Sequence, residues 1–379
     1  MNSDRLRRSL LDRTASTPPF NDLMTALEKE RARKDITGLG GSSLALVIAA
    51  LIRKNPRPLL VITSQREKAE QLFDDLVFTG LENAFHFPAW EILPYEMEEP
   101  HQEIAARCLD VYDALLGHRR DPGGSGDKPP VIIAPIEALF QKVIPLPFFS
   151  EKCLRIRWGD RVNTDQLSRR LVSAGYERTS VVEGRGEFSI RGGIVDIYPL
   201  TETVPVRLDL FGEDIDSIRP FDPYTQRSQS VSDTIEEVRI PPAKLASLLK
   251  ECLDSEIPLS SIWDNLDSHF TVILDEITAF GSQSHKFQEI VERQYFEACA
   301  REEWHTPPHS MYLNWDELKA GLDGFNVVSH TLLPPLEPLA QNPVLFHVPS
   351  FQDIRPSLDA YLESIRQRHR PAAGAPVQG

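Results

Sequence analysis

Residues 186–199 read GEFSIRGGIVDIYP, and the alternation of apolar and polar side chains on either side of Gly192-Gly193 specifies a β-hairpin. Glycine suits a two-residue turn there, because the primed turns that join twisted strands need positive φ. In that register Arg191 pairs with Ile194, Ile190 with Val195, Ser189 with Asp196 and Phe188 with Ile197. Phe188, Ile190, Val195 and Ile197 then share an inward face. Ser189, Arg191, Ile194 and Asp196 form a mixed outer face open to water or to another protein.

Working outward, residues from 154 onward read as a strand, a helix at 164–174, a strand, the hairpin, and strands at 204–211 and 215–219. This is a small α+β domain, placed at 151–225. Before it, a polar arm (1–25) leads to helix 20–33, helix 44–53, strand 59–63, helix 66–78, an aromatic connection at 85–95, helix 103–116 and strand 131–134. Short apolar strands alternating with helices predict a covered parallel sheet of α/β type over 26–150. The segment 118–130, rich in glycine and proline, is a loop within that pattern. After the small domain come an edge segment at 231–240, helix 243–253, strand 270–275 and helices near 284–303 and 315–322. These read as a second α/β domain over 226–347, followed by a linker and tail at 348–379 whose end is disordered by composition.

Composition narrows the function. The 379 residues include 41 Lys and Arg against 56 Asp and Glu, a net charge of -15, which argues against a nonspecific grip on nucleic acid. The four cysteines, Cys108, Cys153, Cys252 and Cys299, lie far apart with no Cys-x-x-Cys pair, so neither a zinc site nor a disulfide framework is indicated. The N-terminus has no sustained apolar core or small-residue cleavage site, and no stretch reaches membrane-spanning length without charges. A soluble, cytoplasmic protein with no membrane contact and no metal is expected.

One segment invites a catalytic reading. Asp35-Ile36-Thr37-Gly38-Leu39-Gly40-Gly41-Ser42 precedes a helix, where a nucleotide-binding domain keeps its phosphate loop. The motif G-x-x-x-x-G-K-[ST] uses backbone amides to cradle phosphates, a lysine for their charge and a hydroxyl for magnesium. Laid on it, Asp35 takes the first glycine, Gly40 the second, Gly41 the lysine and Ser42 the hydroxyl residue. The lysine is absent, and an aspartate stands where negative phosphate would approach. Val272-Ile273-Leu274-Asp275-Glu276 has the apolar strand and paired carboxylates that could hold magnesium. Without the lysine, nothing there binds the triphosphate.

Other candidates read as structure. His305 and His309 flank two prolines, so they do not share a helix face. Glu91, Glu96, Glu98, Glu99 and Glu103 make a solvated acidic face, and Phe85, Phe87, Trp90 and Tyr95 a packed connection. Arg155, Arg157, Arg161, Arg169, Arg170, Arg178, Arg185 and Arg191 crowd into the small domain, a composition suited to a protein interface as well as to nucleic acid.

The hairpin resembles one shared by the UvrA-binding domain of the excision-repair protein UvrB and the N-terminal region of the transcription-repair coupling factor family, Mfd. FPAWEILPYE (87–96), HQEIAARCLDVYDALL (101–116), VIIAPIEALFQKVIP (131–145), SAGYERTSVVEGRGEFSIRGG (173–193) and VRLDLFGEDIDSIRPFDPYTQRS (206–228) are similar to that family in the same order. The resemblance implies a helicase-like parallel-sheet domain with a degenerate phosphate loop (Asp35, Gly38, Gly40, Gly41, Ser42) and an inserted α+β domain that binds UvrA. Arg191 matches the second arginine of UvrB's hairpin motif, and the first falls on Ser189. Phe188 lies in the same motif, and Glu187 and Arg178 flank it in matching blocks. UvrB keeps the phosphate-loop lysine and carries a tyrosine-rich insertion with no counterpart between Glu96 and Glu103, so both departures favour the coupling factors.

What the resemblance implies is a recruiter of UvrA with no ATPase and no cofactor of its own. ATP, magnesium, DNA and RNA polymerase would be handled by translocase and polymerase-binding parts not legible in this chain, which reads as a fragment of a longer protein or a natural truncation. In the family the UvrA-binding surface is masked at rest, so this stretch alone should be open. Two alternatives remain: a UvrB-like ATP-dependent helicase, and a nucleic-acid-binding module.

Overall fold

The computed structural model describes residues 3–92, 95–96, 98–120, 128–228, 235–301, 306–333 and 343–346. The tail at 348–379, the centre of the 118–130 loop, residues 229–234 and His305 lie outside the described residues. In chain order the strands are β1 (Arg33–Thr37), β2 (Leu59–Thr63), β3 (Ala84–His86), β4 (Val131–Pro135), β5 (Leu154–Arg157), β6 (Glu177–Arg178), β7 (Glu187–Arg191), β8 (Ile194–Ile197), β9 (Val206–Phe211), β10 (Asp214–Pro220), β11 (Glu237–Ile240), β12 (Thr271–Asp275), β13 (Asn326–Thr331) and β14 (Val344–Leu345).

Seven strands build one parallel sheet in the order β14-β1-β13-β12-β2-β4-β3. LLVIT, VIIAP and TVILD are buried along their whole length, as expected of strands covered on both faces. Leu60, Ile62, Ile132 and Leu274 face a core that includes Phe140, Phe149 and Phe280. Their neighbours Leu59, Val61, Ile133 and Ile273 face a second core under the helix Ser43–Lys54.

Three sequence expectations change. The helix expected at 20–33 is Pro18–Leu27, and residues 33–37 form β1 instead. RKDIT is short and charged, so only its parallel partners β13 and β14 make it a strand. Within the expected arm, Ser3–Ala15 is a helix that buries Leu11 and pairs Asp12 with Arg53 at 3.2 Å. Finally, β12, expected as a strand of a second α/β domain, and β13, where no strand was expected, lie at the centre of the sheet that holds β1, β2 and β4, with β12 hydrogen-bonded to β2.

The chain leaves that sheet after β4 and returns to it at β12. Between them β5 and β11 pair antiparallel, Leu154 opposite Ile240, so the way in and the way out run side by side and 237–240 belong with the inserted unit. That unit has a five-stranded sheet, β10-β9-β8-β7-β6, antiparallel except between β6 and β7. The helix Thr164–Ser173, capped by the Asn163 side chain accepting from Gln166 N at 3.0 Å, lays Leu167 and Leu171 onto its inner face.

Candidate functional site

The hairpin has the register read from the sequence: Phe188 opposite Ile197, Ser189 opposite Asp196, Ile190 opposite Val195 and Arg191 opposite Ile194. Of the two turn glycines only Gly192 has positive φ, at 59°. Gly193 is needed for a different reason, since its carbonyl accepts from Leu210 N at 2.7 Å and a Cβ there would lie 2.9 Å from the Leu210 oxygen. Phe188 is fully buried in the small core, a burial that contributes about 3 kcal/mol and leaves it no surface to offer a partner.

The outer face differs from expectation. Ser189 and Asp196 are buried, because residues from elsewhere in the unit cover them. Ser189 Oγ donates to Ser180 O at 3.1 Å, and Gln226 Nε2 donates to Val182 O at 3.0 Å, closing two loops over the base of the hairpin. Under this cover Asp196 accepts two bonds from Arg207, at 2.7 and 2.9 Å, and one from Arg191 at 2.7 Å. The Asp196 bonds hold the Arg207 pKa above the usual arginine value, and its guanidinium stacks 4.7 Å from the Phe221 ring centroid. The tip is open: the Arg191 side chain is 44 % exposed, Ile194 is half-buried and Phe211 is 82 % exposed.

Glu187 and Arg178 are not brought to that tip. Glu187 accepts from the backbone of Glu183 and Gly184 at 2.8 and 2.9 Å, fixing the turn that leads into β7. Arg178 is exposed on β6, the edge strand, opposite Phe188. Part of the arginine cluster is balanced by acids: Arg157 meets Glu237 at 2.6 Å, and Arg161 meets Glu213 and Asp214 at 3.1 and 3.4 Å. Thirteen Lys and Arg stand against fifteen Asp and Glu over 154–245, so the unit is not a basic patch. Sequence reasoning missed Arg207 and Phe211. The alternation of VRLDLF and the Gly212 turn, at φ 67°, carried the signal for both.

The segment compared with the phosphate-loop motif begins inside β1 of the large sheet and runs on into the turn before the helix Ser43–Lys54. Asp35, expected beside an approaching phosphate, lies inside β1 opposite Ser329 and is buried. Gly38 and Gly41 have φ of 87° and 56°. A Cβ on Gly38 would overlap the carbonyl oxygen of Phe346, and Phe346 N donates to Thr37 O at 2.9 Å. The chain's own β14 segment therefore crosses the loop, with Leu332 beside Gly40. A phosphate needs donors, and here it would meet a carbonyl acceptor and leucine side chains. The Ser42 side chain makes no cap bond, while Ser43 Oγ donates to Gly40 O at 2.6 Å.

The paired carboxylates after β12 are also engaged. Asp275 Oδ1 lies 2.6 Å from His330 Nδ1, both buried, and Glu276, at φ 61°, accepts from Leu332 N at 2.9 Å. Among the described residues no group of three or more His, Cys, Asp or Glu is arranged to hold a metal, and no helix is long and apolar enough to cross a membrane. Glu99 is not a free surface acid: it accepts from Ala246 N and Ser247 N at 3.0 and 2.9 Å, capping the helix Leu245–Asp254. The aromatic connection packs, with Phe87 buried and Tyr95 Oη donating to Thr306 O at 3.0 Å. All four cysteines are unpaired, and burial pushes the Cys108 and Cys153 thiols up to about 12, far from a reactive thiolate.

Residues 154–245 match the family model described as the UvrB interaction domain. The chain is 34 % identical over 228 residues to the transcription-repair-coupling factor of Bacillus subtilis (strain 168), a match covering 59 % of this chain and 18 % of that protein. It is also 34 % identical to those of Staphylococcus aureus (strain MRSA252), over 54 % of this chain and 16 % of the relative, and of Haemophilus influenzae (strain ATCC 51907 / DSM 11121 / KW20 / Rd), over 52 % and 16 %. The matched stretch thus spans less than a fifth of each of these relatives. The UvrB interaction domain and the shared identity over about half the chain are consistent with the N-terminal module of a transcription-repair coupling factor, the family to which this chain is similar.

Proposed function

We propose that this chain recruits UvrA in transcription-coupled excision repair, through the inserted domain and without ATPase activity of its own. The observation that carries the reading is Arg191, held by the buried Asp196 yet open to a partner, in a domain that matches the UvrB interaction domain. A guanidinium pinned on one side keeps donors for a carboxylate on the other and loses little side-chain entropy on binding. Translocation on DNA and contact with RNA polymerase would belong to parts of a coupling factor outside the matched stretch. No cofactor is required for recruitment, and cytoplasmic action fits the role.

The filled loop argues against an active UvrB-like ATPase. A nucleotide would have to displace Phe346 from Gly38 and find its charge unanswered at Gly41. The net charge of -15 argues likewise against a DNA-binding module. Co-elution with purified UvrA on a sizing column, alongside fluorescence titrations with labelled ATP and duplex DNA, tests all three readings. The proposal expects a complex with UvrA and no saturable signal with either other ligand. A salt-sensitive DNA complex or saturable ATP binding, with no UvrA complex, would replace it.

A further inference from the structure

The tip of the outer face holds more than Arg191. Strands β7 to β10 run up and down, so the Gly192-Gly193 turn and the Gly212-Glu213 turn lie at the same end of the sheet, joined by the Leu210 N to Gly193 O bond. Register fixes which side chains share a face there. Arg191 is opposite Ile194, Ile194 is opposite Asp209, and Phe211, two residues beyond Asp209, is the diagonal neighbour of Ile194 on that face. The next row, Asp196 and Arg207, lies under the loops at 180–182 and 226–228. The face therefore divides into a covered polar base and an open tip bearing an arginine, a half-buried isoleucine and an exposed phenylalanine.

Phe211 sits on a paired strand, opposite Asp214, so its backbone is fixed while its ring meets water. A large apolar ring on a rigid edge beside an anchored arginine has the composition of an interface hot spot. We infer that Phe211, with Ile194 beside it, is the apolar anchor on which UvrA closes over the tip, so that the docking surface runs across β7, β8 and β9 and not along the edge at β6 that carries Arg178. This rests on the proposed recruitment of UvrA. The occupant follows from continuity, because a protein that reaches Arg191 covers Ile194 and meets Phe211 next. The acids at this end are already paired, Asp209 with Arg219 and Glu213 and Asp214 with Arg161, so on this face the Phe211 ring gains most by burial.

The test is interferometry with immobilised UvrA and four forms of the chain: wild type, Phe211→Ser, Phe211→Leu and Phe296→Ser. Phe296, 68 % exposed on the helix Phe280–Ala300 of the large unit, serves as the control aromatic. Phe211→Ser should weaken binding by about thirty-fold, mainly through faster dissociation, Phe211→Leu by less, and Phe296→Ser should match wild type. A photo-crosslinking residue at position 211 should join the chain to UvrA, a readout that does not depend on how a variant folds. Wild-type binding with Phe211→Ser within two-fold of it and no crosslink would overturn the anchor while leaving recruitment standing. No binding by wild type would overturn both.

Discussion

The buried carboxylate of Asp196 accepts a 2.7 Å hydrogen bond from Arg191, whose own side chain is 44 % exposed. One end of the pair is structure and the other is surface. Because Asp196 also binds Arg207, its removal leaves one largely buried guanidinium without its anion and one exposed guanidinium without its anchor. Asp196→Ala should therefore destabilise the inserted unit by about 3 kcal/mol or more, measured by urea unfolding, whereas Arg191→Ala should shift the midpoint little.

Phe188 separates folding from binding. It is fully buried, so Phe188→Ala should destabilise by about 3 to 5 kcal/mol, and any loss of UvrA binding should follow the unfolded fraction. Phe188→Leu, closer in volume, should restore most of both. Circular dichroism melts alongside binding curves check this. A stable, folded Phe188→Ala that fails to bind would mean the ring acts at the interface.

The glycine-rich segment after β1 carries a sharper expectation. Gly41→Lys supplies the residue that the motif lacks, but the Phe346 carbonyl still lies against Gly38. Titration of Gly41→Lys with labelled ATP should stay flat up to millimolar nucleotide. Gly38→Ala should instead destabilise by about 2 kcal/mol or more, from the left-handed φ of 87° and the carbonyl overlap together. Saturable ATP binding by Gly41→Lys would show that the segment carrying Phe346 moves aside.

Two groups bend the pH dependence of stability in opposite directions. Burial, and then Arg107 at 2.8 Å, push the His86 pKa down from 6.5 to about 4. Between those values the unfolded chain takes up a proton that the folded chain refuses, so stability falls as pH drops from 6.5 to 4. Burial, with Asp113 and Glu202 nearby, pushes the Asp110 pKa up from 3.8 to about 7, against Arg185 and Arg107. Its contribution is complete below 3.8 and is lost as pH rises toward 7. Melting profiles from pH 4 to 8 should show Asp110→Asn gaining most over wild type at pH 8, and His86→Gln flattening the acid limb.

Much of this arrangement is legible in the sequence. The alternation around Gly192-Gly193 fixed the hairpin register, because a half-buried hairpin has a local period, and LLVIT and VIIAP declared a covered sheet by their unbroken apolar runs. The cover over Ser189 and Asp196 was not legible: it comes from residues 180–182 and 226–228, placed by hydrogen bonds that no local pattern encodes. Strand β1 was hidden for a similar reason, since Arg33–Thr37 is made a strand by β13, far along the chain. The insertion between β4 and β12 likewise made one sheet read as two.

Calorimetric titration of purified UvrA with the wild-type chain and with Arg191→Ala, each shown to be folded, tests recruitment most directly. The account predicts saturable binding by wild type that weakens at least about ten-fold in a fully folded Arg191→Ala. Equal affinity for the two proteins, or no heat of binding with wild type, would contradict it.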